Sequence, residues 1–467
     1  MRRVLLQTFV LVAVTAALVL VSFGNVAATT SNSVTTDFYY QPQVSWMLAG
    51  TGTVAPQGVP YCQTGSGRGI VCYTPSFLRA AYNYPSDLNG AGQTILIVDA
   101  FGSPTIQNDL ATFDAQFGIP APPSFTILCG NGGCPAFAPL NLLHDPSGWA
   151  IETSLDVEYA HAMAPGANIV LVVASTSSGN ALNDAEAMAI PMYPGSIMSQ
   201  SFGIPEILIH ANNAQTRQAE ANYAAAKAED ITVFASAGDA GATNGYATAN
   251  ALFPASDPLV TAVGGTQGDP YYAYNTTLTC ASGDTCSSGL ATFTGPCSTG
   301  GTFSTAACTP LGYGGEEVWN EPAFGAATGG SPSLLFGVPS YQMGLGLSAR
   351  TTPDVSYNAA ISGGVLVYTS FAGSAWYFVG GTSAGSPQWA AIAALANQAA
   401  GHPLGFINPA LYAIGEGSHY GSDFHDITTG DNTLTGTPVG FSAGTGYDTA
   451  SGWGTPNVAN LVADLSS

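Results

Sequence analysis

The sequence is poor in charged residues, and above all in positive charge. Of its 467 residues 8% are charged, with 7 lysines and arginines against 29 aspartates and glutamates, and the formal net charge at pH 7 is −22. Such a chain repels nucleic acid and anionic membranes at neutral pH, so we expect neither as a partner. In strong acid most carboxylates are neutral and few cations remain to repel one another. We interpret this as adaptation to acid; a generic acidic exported protein, the alternative, usually carries more surface Lys and Glu.

Long apolar runs are missing except near the N-terminus. Arg2 and Arg3 precede an apolar run from Phe9 to Val21, and small residues follow up to Ala28. This pattern predicts a secretory signal over residues 1–28. Because the run is long for a signal, an uncleaved membrane anchor is the alternative. We expect a secreted, extracellular protein in an acidic environment, with no membrane contact after cleavage of the signal.

Cysteine is sparse but paired along the chain. In an exported protein this spacing favours local disulfides, and the Gly, Ser and Thr surroundings without nearby histidines do not fit a zinc site. The eight cysteines form four close pairs: Cys62 with Cys72, Cys129 with Cys134, Cys280 with Cys286, and Cys297 with Cys308.

Strand and helix patterns alternate along most of the chain, which predicts a parallel α/β fold. The predicted strands run from Thr94 to Asp99, Asn168 to Val173, Ile231 to Ser236, Val365 to Thr369 and Tyr377 to Val379. The predicted helices run from Pro104 to Phe117, Trp149 to Met163, Leu208 to Glu229 and Ser386 to Ala400.

Two stretches lack clear periodicity. We predict a short irregular N-terminal extension over residues 29–72, followed by one domain over residues 73–467. Residues 265–315 are dominated by Cys, Gly, Thr and Ser, and we interpret them as a disulfide-tied loop insertion within that domain.

The segment from Gly380 to Pro387 is the strongest local sign of chemistry. Its small residues let a substrate backbone approach the Ser383 hydroxyl, and the helix that follows offers N–H groups to a developing oxyanion. A Gly/Ser-rich cap on a buried helix would have the same sequence pattern. Residues elsewhere in the chain are therefore needed to distinguish a nucleophile from a cap.

A nucleophilic serine needs a base, and none of the six histidines lies in a histidine motif of the subtilisin type. Glu152 and Asp156 instead lie four residues apart on one face of a predicted helix. Such pairs are usually solvated, but the apolar neighbours Trp149, Ile151 and Leu155 indicate burial. Two buried carboxylates share protons, which leaves one of them able to accept a proton in acid.

A third carboxylate, Asp239, directly follows the predicted strand that ends at Ser236. Open α/β sheets place their sites at the carboxyl ends of strands. When protonated, Asp239 could donate a hydrogen bond to an oxyanion, although an Asp-Gly turn is an equally simple explanation.

The spacing Glu152-x-x-x-Asp156, the Ser-x-Gly-Asp-x-Gly segment around Asp239 and Gly-Thr-Ser383 together resemble the sedolisin family of serine-carboxyl peptidases, in the same order. The resemblance spans roughly residues 73–467. It also includes Tyr73-Thr74-Pro75 and the segment from Arg350 to Ser356.

The resemblance implies a subtilisin-like α/β fold: a mostly parallel central sheet flanked by helices, with a C-terminal calcium-binding loop. It implies that Ser383 is the nucleophile, Glu152 the general base and later acid, Asp156 the residue that orients Glu152, and Asp239 the oxyanion donor. The expected activity is that of a monomeric, acid-acting endopeptidase that hydrolyses protein or peptide substrates through an acyl-enzyme. The sequence does not separate this from release of tripeptides.

The resemblance also implies one structural calcium ion near the C-terminus. The implied ligands are the carboxylates of Asp426 and Asp448 and the carbonyls of Ile427, Gly444 and Gly446. Calcium favours six to eight oxygen ligands of this kind. On residue types alone a plain Asp/Gly turn is as good an explanation.

One feature departs from the family. Sedolisins are typically made with a large N-terminal prodomain, and only about 44 residues separate the predicted signal from Tyr73. We therefore expect no full-size prodomain, and the route of activation stays open.

Three alternatives remain. Gly381-x-Ser383-x-Gly385 also fits the nucleophile elbow of an α/β-hydrolase esterase, with Asp423 and His425 as partners. Ordinary subtilisin chemistry would use Asp99 and His161. A non-catalytic surface protein could keep the peptidase fold.

Overall fold

The computed structural model describes residues 37–50, 72–130, 133–135, 146–268, 313–371 and 375–467, with the backbone of short strands within 62–70 and 279–303. The predicted signal lies outside these residues, as do the side chains of three predicted cysteine pairs (62 with 72, 280 with 286, 297 with 308). The fourth predicted pair, Cys129 with Cys134, is disulfide-bonded. No helix in the described part of the chain has both the length and the apolarity to cross a membrane.

A central sheet of eight strands organises the fold, as the alternating pattern predicts. In chain order the strands are β1 (Thr94–Ala100), β2 (Phe125–Cys129), β3 (Asn168–Ala174), β4 (Ile197–Gln200), β5 (Thr232–Ser236), β6 (Thr261–Gly268), β7 (Glu316–Val318) and β8 (Val355–Asn358). The order across the sheet is β7-β6-β5-β4-β1-β3-β2, and β8 also pairs with β6. All these pairs are parallel except β6 with β7.

Helices cover both faces of this sheet. They are α1 (Pro75–Ala81), α2 (Ile106–Phe117), α3 (Pro146–Met163), α4 (Gly179–Ala189), α5 (Ala214–Ala228), α6 (Gly385–Ala400), α7 (Asn408–Gly415), α8 (Tyr420–Asp423) and α9 (Val458–Leu465). Short 3-10 helices lie at Ile190–Met192, Glu206–Leu208, Ser340–Leu345 and Thr382–Ala384.

Strand β1 shows why the sheet is covered on both sides. Ile95 and Ile97 belong to one buried apolar cluster, and Leu96 and Val98 belong to another on the opposite face. Alternate side chains point to opposite faces of a strand, so a continuous apolar run is typical of a parallel strand buried on both sides.

Smaller sheets surround the central one. The largest has four strands: Ser45–Gly50, Cys72–Tyr73, Gly364–Thr369 and Ala375–Gly380. A three-stranded sheet joins Gln41–Pro42, Phe202–Pro205 and Leu252–Phe253. Two-stranded pairs join Asn320–Glu321 with Ala326–Ala327, Ser331–Pro332 with Thr351–Thr352, Phe424–His425 with Thr455–Pro456, Cys62–Gln63 with Gly69–Ile70, Thr279–Cys280 with Phe293–Thr294, and Ser298–Thr299 with Thr302–Phe303.

The helix predicted from Leu208 to Glu229 begins later than its apolar pattern suggests. The Asn213 side chain accepts hydrogen bonds from the backbone N–H groups of Gln215 and Thr216, which caps α5 at its true start. Leu208 ends a separate 3-10 turn and is exposed. The Asn213 cap, rather than the apolar residues that precede it, therefore determines where α5 begins.

The described part of the N-terminal extension is not irregular. Residues 41–42 and 45–50 form strands, and the side chains of Phe38 and Tyr40 are buried. The strand partners, Phe202 to Gly203 and Trp376 to Gly380, lie far along the chain. Local periodicity carries no sign of such long-range pairing, which is why the sequence pattern misses it.

Candidate active site

Three strands and two helices converge on one buried site. Asp99 is the second-last residue of β1, Ser201 directly follows β4, and Asp239 lies on the loop after β5. Helix α3 packs against β1 and against α6, which starts just after Ser383. The site thus lies at the carboxyl ends of parallel strands, where α/β folds commonly bind ligands.

Ser383 lies in the single 3-10 turn Thr382–Ala384 and is fully buried. Its hydroxyl donates to the carbonyl of Ser201 over 3.2 Å. Its backbone N–H donates to the carbonyl of Gln43 over 3.1 Å. The preceding Gly381 has φ of 116°, a conformation that other residues rarely adopt, so the sharp turn before the serine requires glycine.

Glu152 and Asp156 lie on one face of α3, as predicted, and both are fully buried. Neither carboxyl oxygen of Glu152 has a hydrogen-bond partner among the described residues. Burial raises the pKa of Glu152, and the nearby charges of Asp156 and Asp99 raise it further, while the adjacent Ser383 hydroxyl lowers it. Glu152 is therefore a neighbour of Ser383, with its proton-accepting oxygens free.

Asp156 is connected to Ser383 through Ser201. One Asp156 oxygen accepts a 2.9 Å hydrogen bond from the Ser201 hydroxyl, and the other has no partner among the described residues. Burial raises the Asp156 pKa, as does the charge of Asp99, whereas the hydrogen bond from Ser201 and the nearby Glu152 carboxyl lower it. The two α3 carboxyls and the serine thus form one connected group.

Asp99 adds a further carboxyl, which the sequence analysis considered only as the end of a strand and as a partner of His161 in the subtilisin alternative. It is fully buried, and neither of its oxygens has a partner with good geometry among the described residues. Burial raises its pKa to about 7, opposed by the Thr153 side chain. Its proximity to Glu152 and Asp156 means that protons in this group are shared rather than held independently.

Asp239 lies beside the turn that carries the serine. One of its oxygens accepts hydrogen bonds from both the backbone N–H and the hydroxyl of Thr382, each over 2.8 Å. The other oxygen is buried and unpartnered among the described residues. Burial raises the pKa of Asp239 to about 7, against the effect of Thr382. In acid this carboxyl is therefore neutral and can donate a hydrogen bond.

The histidines of the two alternative chemistries lie elsewhere. His161 is buried against Asp114 and the carbonyl of Pro120. His425 stacks on Tyr313 with ring centroids 3.5 Å apart, and burial lowers its pKa to about 4. Among the described histidines, which exclude His144, none is a partner of Ser383. The arrangement therefore brings carboxyls, not imidazole, to the serine.

Two residues that sequence reasoning missed connect this group. Ser201 contacts Asp156 and Ser383, and Thr382 holds Asp239. Ser201 opens a Ser-Phe-Gly segment at the carboxyl end of β4, which was an available sign. The role of Thr382 depends on the fold bringing the loop after β5 beside the turn at Ser383.

The residues expected to bind calcium also lie together. Asp426 accepts from the backbone N–H of Gly446, and Asp448 accepts from that of Gly444. Among the described residues, no hydrogen bond is donated to the carbonyls of Ile427, Gly444 or Gly446. Both carboxylates also accept hydrogen bonds from neighbouring residues, Asp426 from Tyr420 and Asp448 from Ala450 and Ser451. Together with the three carbonyls they are oxygen ligands of the kind that a hard cation takes.

No family model matches the chain. Among curated proteins it is similar to kumamolisin of Bacillus sp. (strain MN-32), with 32% identity over 407 residues, 84% of this chain and 63% of that protein. It is 27% identical to sedolisin of Pseudomonas sp. (strain 101) over 85% of this chain and 61% of sedolisin. It is 29% identical to tripeptidyl-peptidase 1 of Homo sapiens, over 84% and 64% respectively. The chain thus spans slightly less than two thirds of the length of these relatives.

Solved structures point the same way. Pseudomonas sedolisin, a serine-carboxyl proteinase in complex with two molecules of pseudo-iodotyrostatin, matches with a TM-score of 0.62 and 26% identity, over 84% of this chain and 98% of that one. The expected subtilisin-like α/β fold, with a mostly parallel central sheet between helices, is confirmed by this match. Because sequence and fold agree over most of the chain, the protein belongs to the sedolisin family of serine-carboxyl peptidases.

Proposed function

We propose that this chain is a secreted, acid-acting peptidase that hydrolyses peptide bonds in protein or peptide substrates. Ser383 is the nucleophile, Glu152 its general base and later acid, Asp156 the residue that orients Glu152, and Asp239 the oxyanion donor. One observation carries the proposal: the buried Glu152 carboxyl has two unpartnered oxygens and lies beside the buried Ser383 hydroxyl.

The proposed reaction proceeds in two halves. Ser383 Oγ attacks the substrate carbonyl carbon while Glu152 takes the hydroxyl proton. The oxyanion accepts hydrogen bonds from the Ser383 backbone N–H and from protonated Asp239. Glu152 then gives its proton to the leaving amine, and water hydrolyses the acyl-enzyme by the same route.

The carboxyls around Ser383 can act in acid because their protonation is coupled. An imidazole, with an ordinary pKa of about 6.5, is almost fully protonated at pH 3 to 4 and cannot act as a base there. In a buried cluster the first proton leaves at lower pH than the later ones, because each new charge opposes the next ionisation. Loss of one proton from the cluster thus leaves a single ionised carboxyl beside a neutral Asp239, and in the proposed mechanism that ionised carboxyl is Glu152.

The direct test is digestion of a denatured protein between pH 2 and 5, with the fragments read by mass spectrometry. We expect the wild-type protein to cleave and Ser383→Ala to lose cleavage, with both giving the same circular dichroism spectrum. Cleavage that peaks above pH 7, or that survives in Ser383→Ala, would contradict the proposal. Hydrolysis of a p-nitrophenyl ester at pH 8 without protein digestion at pH 3 would favour the esterase alternative.

We further propose that the C-terminal loop holds one calcium ion, as members of this family typically do. The ligands are the carboxylates of Asp426 and Asp448 and the carbonyls of Ile427, Gly444 and Gly446. When bound, the ion would tie the segment after Phe424–His425 to residues 444–448. Its role is structural, and no catalytic step passes through it.

Calcium should therefore raise the thermal stability of the protein. In the Ser383→Ala background, which prevents self-digestion, saturating calcium at 100 times its Kd adds about 2.7 kcal/mol. We expect the melting temperature to fall on chelation and Asp448→Asn to abolish the difference. Asp431→Asn, on the same loop region but outside the ligand set, is the matched control. An equal response of the Asp448→Asn protein to calcium would exclude this loop as the site.

A further inference from the structure

Three ionisable side chains outside the group around Ser383 meet where α8 packs against α9. His419 directly precedes α8, Asp423 is the last residue of α8, and Asp464 lies near the end of α9. The Nδ1 atom of His419 contacts a carboxyl oxygen of Asp464. One imidazole nitrogen and one oxygen from each carboxyl all lie within 4.8 Å of one another. We name these three residues the C-terminal cluster.

The spacing of His419 and Asp423 places them on one side of a single helical turn. They are four residues apart, and the Asp423 N–H donates to the His419 carbonyl over 3.0 Å. The sequence analysis considered Asp423 only as a partner of Ser383 in the esterase alternative. Its carboxyl instead lies beside that of Asp464, so this residue has a different set of neighbours from the one that the alternative requires.

The Asp423 carboxyl is buried and only half satisfied. The residue is 1% exposed, and one of its carboxyl oxygens accepts the Ser422 hydroxyl over 2.9 Å. The other oxygen is also buried and has no hydrogen-bond partner within the described residues. A buried carboxylate oxygen without a donor is costly, so this oxygen needs either a proton or a cation.

No strong base neutralises the two carboxyls of the C-terminal cluster. Within the described ranges, the only ion pair that involves a lysine or arginine joins Arg350 to Asp354. Burial and the neighbouring Asp464 carboxyl raise the pKa of Asp423 to about 6. In acid a proton can therefore join the two carboxyls, but at higher pH they repel each other. A protonated His419 supplies one positive charge, which still leaves one negative charge in excess.

Hydrogen bonds between α8 and α9 fix the positions of these side chains. The Asn457 N–H donates to the Asp423 carbonyl over 2.7 Å, and the Asn460 side chain donates to the Ser422 carbonyl over 2.8 Å. Leu461, on α9, is fully buried. The two helices are thus held together before any ligand binds, and such preorganisation favours binding because little conformational freedom remains to be lost.

The donor atoms of the C-terminal cluster suit a transition metal better than calcium. Zinc takes His nitrogens and Asp oxygens in a tetrahedral arrangement, whereas calcium takes six to eight oxygens. Three protein ligands would leave one tetrahedral position for water. The His419 side chain is 64% exposed, so solvent reaches this side of the cluster.

We propose that His419, Asp423 and Asp464 bind one divalent ion of the zinc class, which joins α9 to α8. A divalent ion balances the two carboxylates while the imidazole stays neutral. These ligands are distinct from those of the proposed calcium ion, and the inference goes beyond the proposed peptidase function. Because metal ligands must be unprotonated, the ion is held at neutral pH and leaves in acid, where His419 and both carboxyls take up protons.

Titration calorimetry with zinc chloride at pH 7 tests the proposal, on the Ser383→Ala protein without a histidine tag. Excess calcium is present throughout to fill the proposed calcium loop. We expect one zinc ion per chain, and His419→Ala should weaken binding by at least about tenfold. His210→Ala, at another exposed histidine, is the matched control and should bind as tightly as the parent protein. No binding at pH 7, or equal binding by the His419→Ala protein, would overturn the inference.

The melting temperature distinguishes a bound ion from a plain ion pair between His419 and Asp464. With saturating zinc we expect the melting temperature of the Ser383→Ala protein to rise at pH 7 and to stay unchanged at pH 4. Adding Asp464→Asn, at a partly exposed position, should abolish the rise. A rise that persists in this variant, or that also occurs at pH 4, would show that zinc binds elsewhere and would refute the ligand assignment.

Discussion

Glu152→Gln is expected to lower kcat/KM at pH 4 by about four orders of magnitude or more, the loss seen when a member of a catalytic triad is removed. The amide keeps the shape of the side chain but cannot accept the Ser383 proton at any pH. Peptide hydrolysis over pH 2 to 8, with active-site occupancy checked by a bound inhibitor, measures the loss. A residual activity above about one percent of wild type would refute the assignment of Glu152 as base.

Asp239→Asn is the matched control, since it makes the same carboxyl-to-amide change a short distance away. The Asn amide still offers an N–H donor to the oxyanion, and now does so at every pH. We expect a smaller loss at pH 4, together with removal of the activity decline that ionisation of Asp239, with its pKa of about 7, causes in the wild type. Equal losses in both variants would mean that the two carboxyls are not distinct in role.

Stability should fall as the pH rises, the reverse of acid denaturation in ordinary proteins. Burial raises the pKa of four described carboxyls, Asp99, Glu186, Asp239 and Asp257, to about 7. Their unfolded values are about 4. A group that holds its proton more tightly when folded stabilises the fold fully below its unfolded pKa, and this contribution is lost as the pH rises through 7. For Asp257, a shift of roughly three units corresponds to about 4 kcal/mol at most.

Urea unfolding of the Ser383→Ala protein at pH 4 and pH 8 measures this effect. We expect the free energy of unfolding to be several kcal/mol lower at pH 8. Asp257→Asn keeps the oxygen that accepts the Leu259 N–H, so it should reduce the difference between the two pH values. Asp87→Asn, at an exposed position, should leave the difference unchanged. Greater stability at pH 8 than at pH 4 would show that the buried carboxyls ionise without harm to the fold.

The residues that sequence reasoning found share one property: each lies in a short, self-contained pattern. Glu152 and Asp156 are one helical turn apart, and Ser383 lies in a strand-turn-helix segment, so local spacing alone brings them to notice. Asp99 carries no such pattern, and the Ser-Phe-Gly segment that Ser201 opens does not by itself point to Ser383. Their importance depends on β1, β4 and α3 meeting at one point, and that contact joins residues more than 40 positions apart.

The N-terminal extension also shows that local sequence patterns do not predict contacts between distant residues. Residues 37–50 have no periodicity of their own because their strand partners, residues 202–203 and 376–380, come from two distant parts of the chain. Main-chain hydrogen bonds can hold a short strand in a sheet without alternating apolar and polar side chains. Local sequence therefore gave no reason to expect order there, still less a path beside Ser383.

The sequence by itself determined the alternation of strands and helices, the family resemblance and the types of group available for chemistry, because each is written in residues close together along the chain. Only the tertiary structure decided which carboxyls share a buried cluster, in which direction burial shifts the pKa of each, and which segment runs beside Ser383. Desolvation and long-range pairing depend on what surrounds a group in space, and residues hundreds of positions apart supply those surroundings.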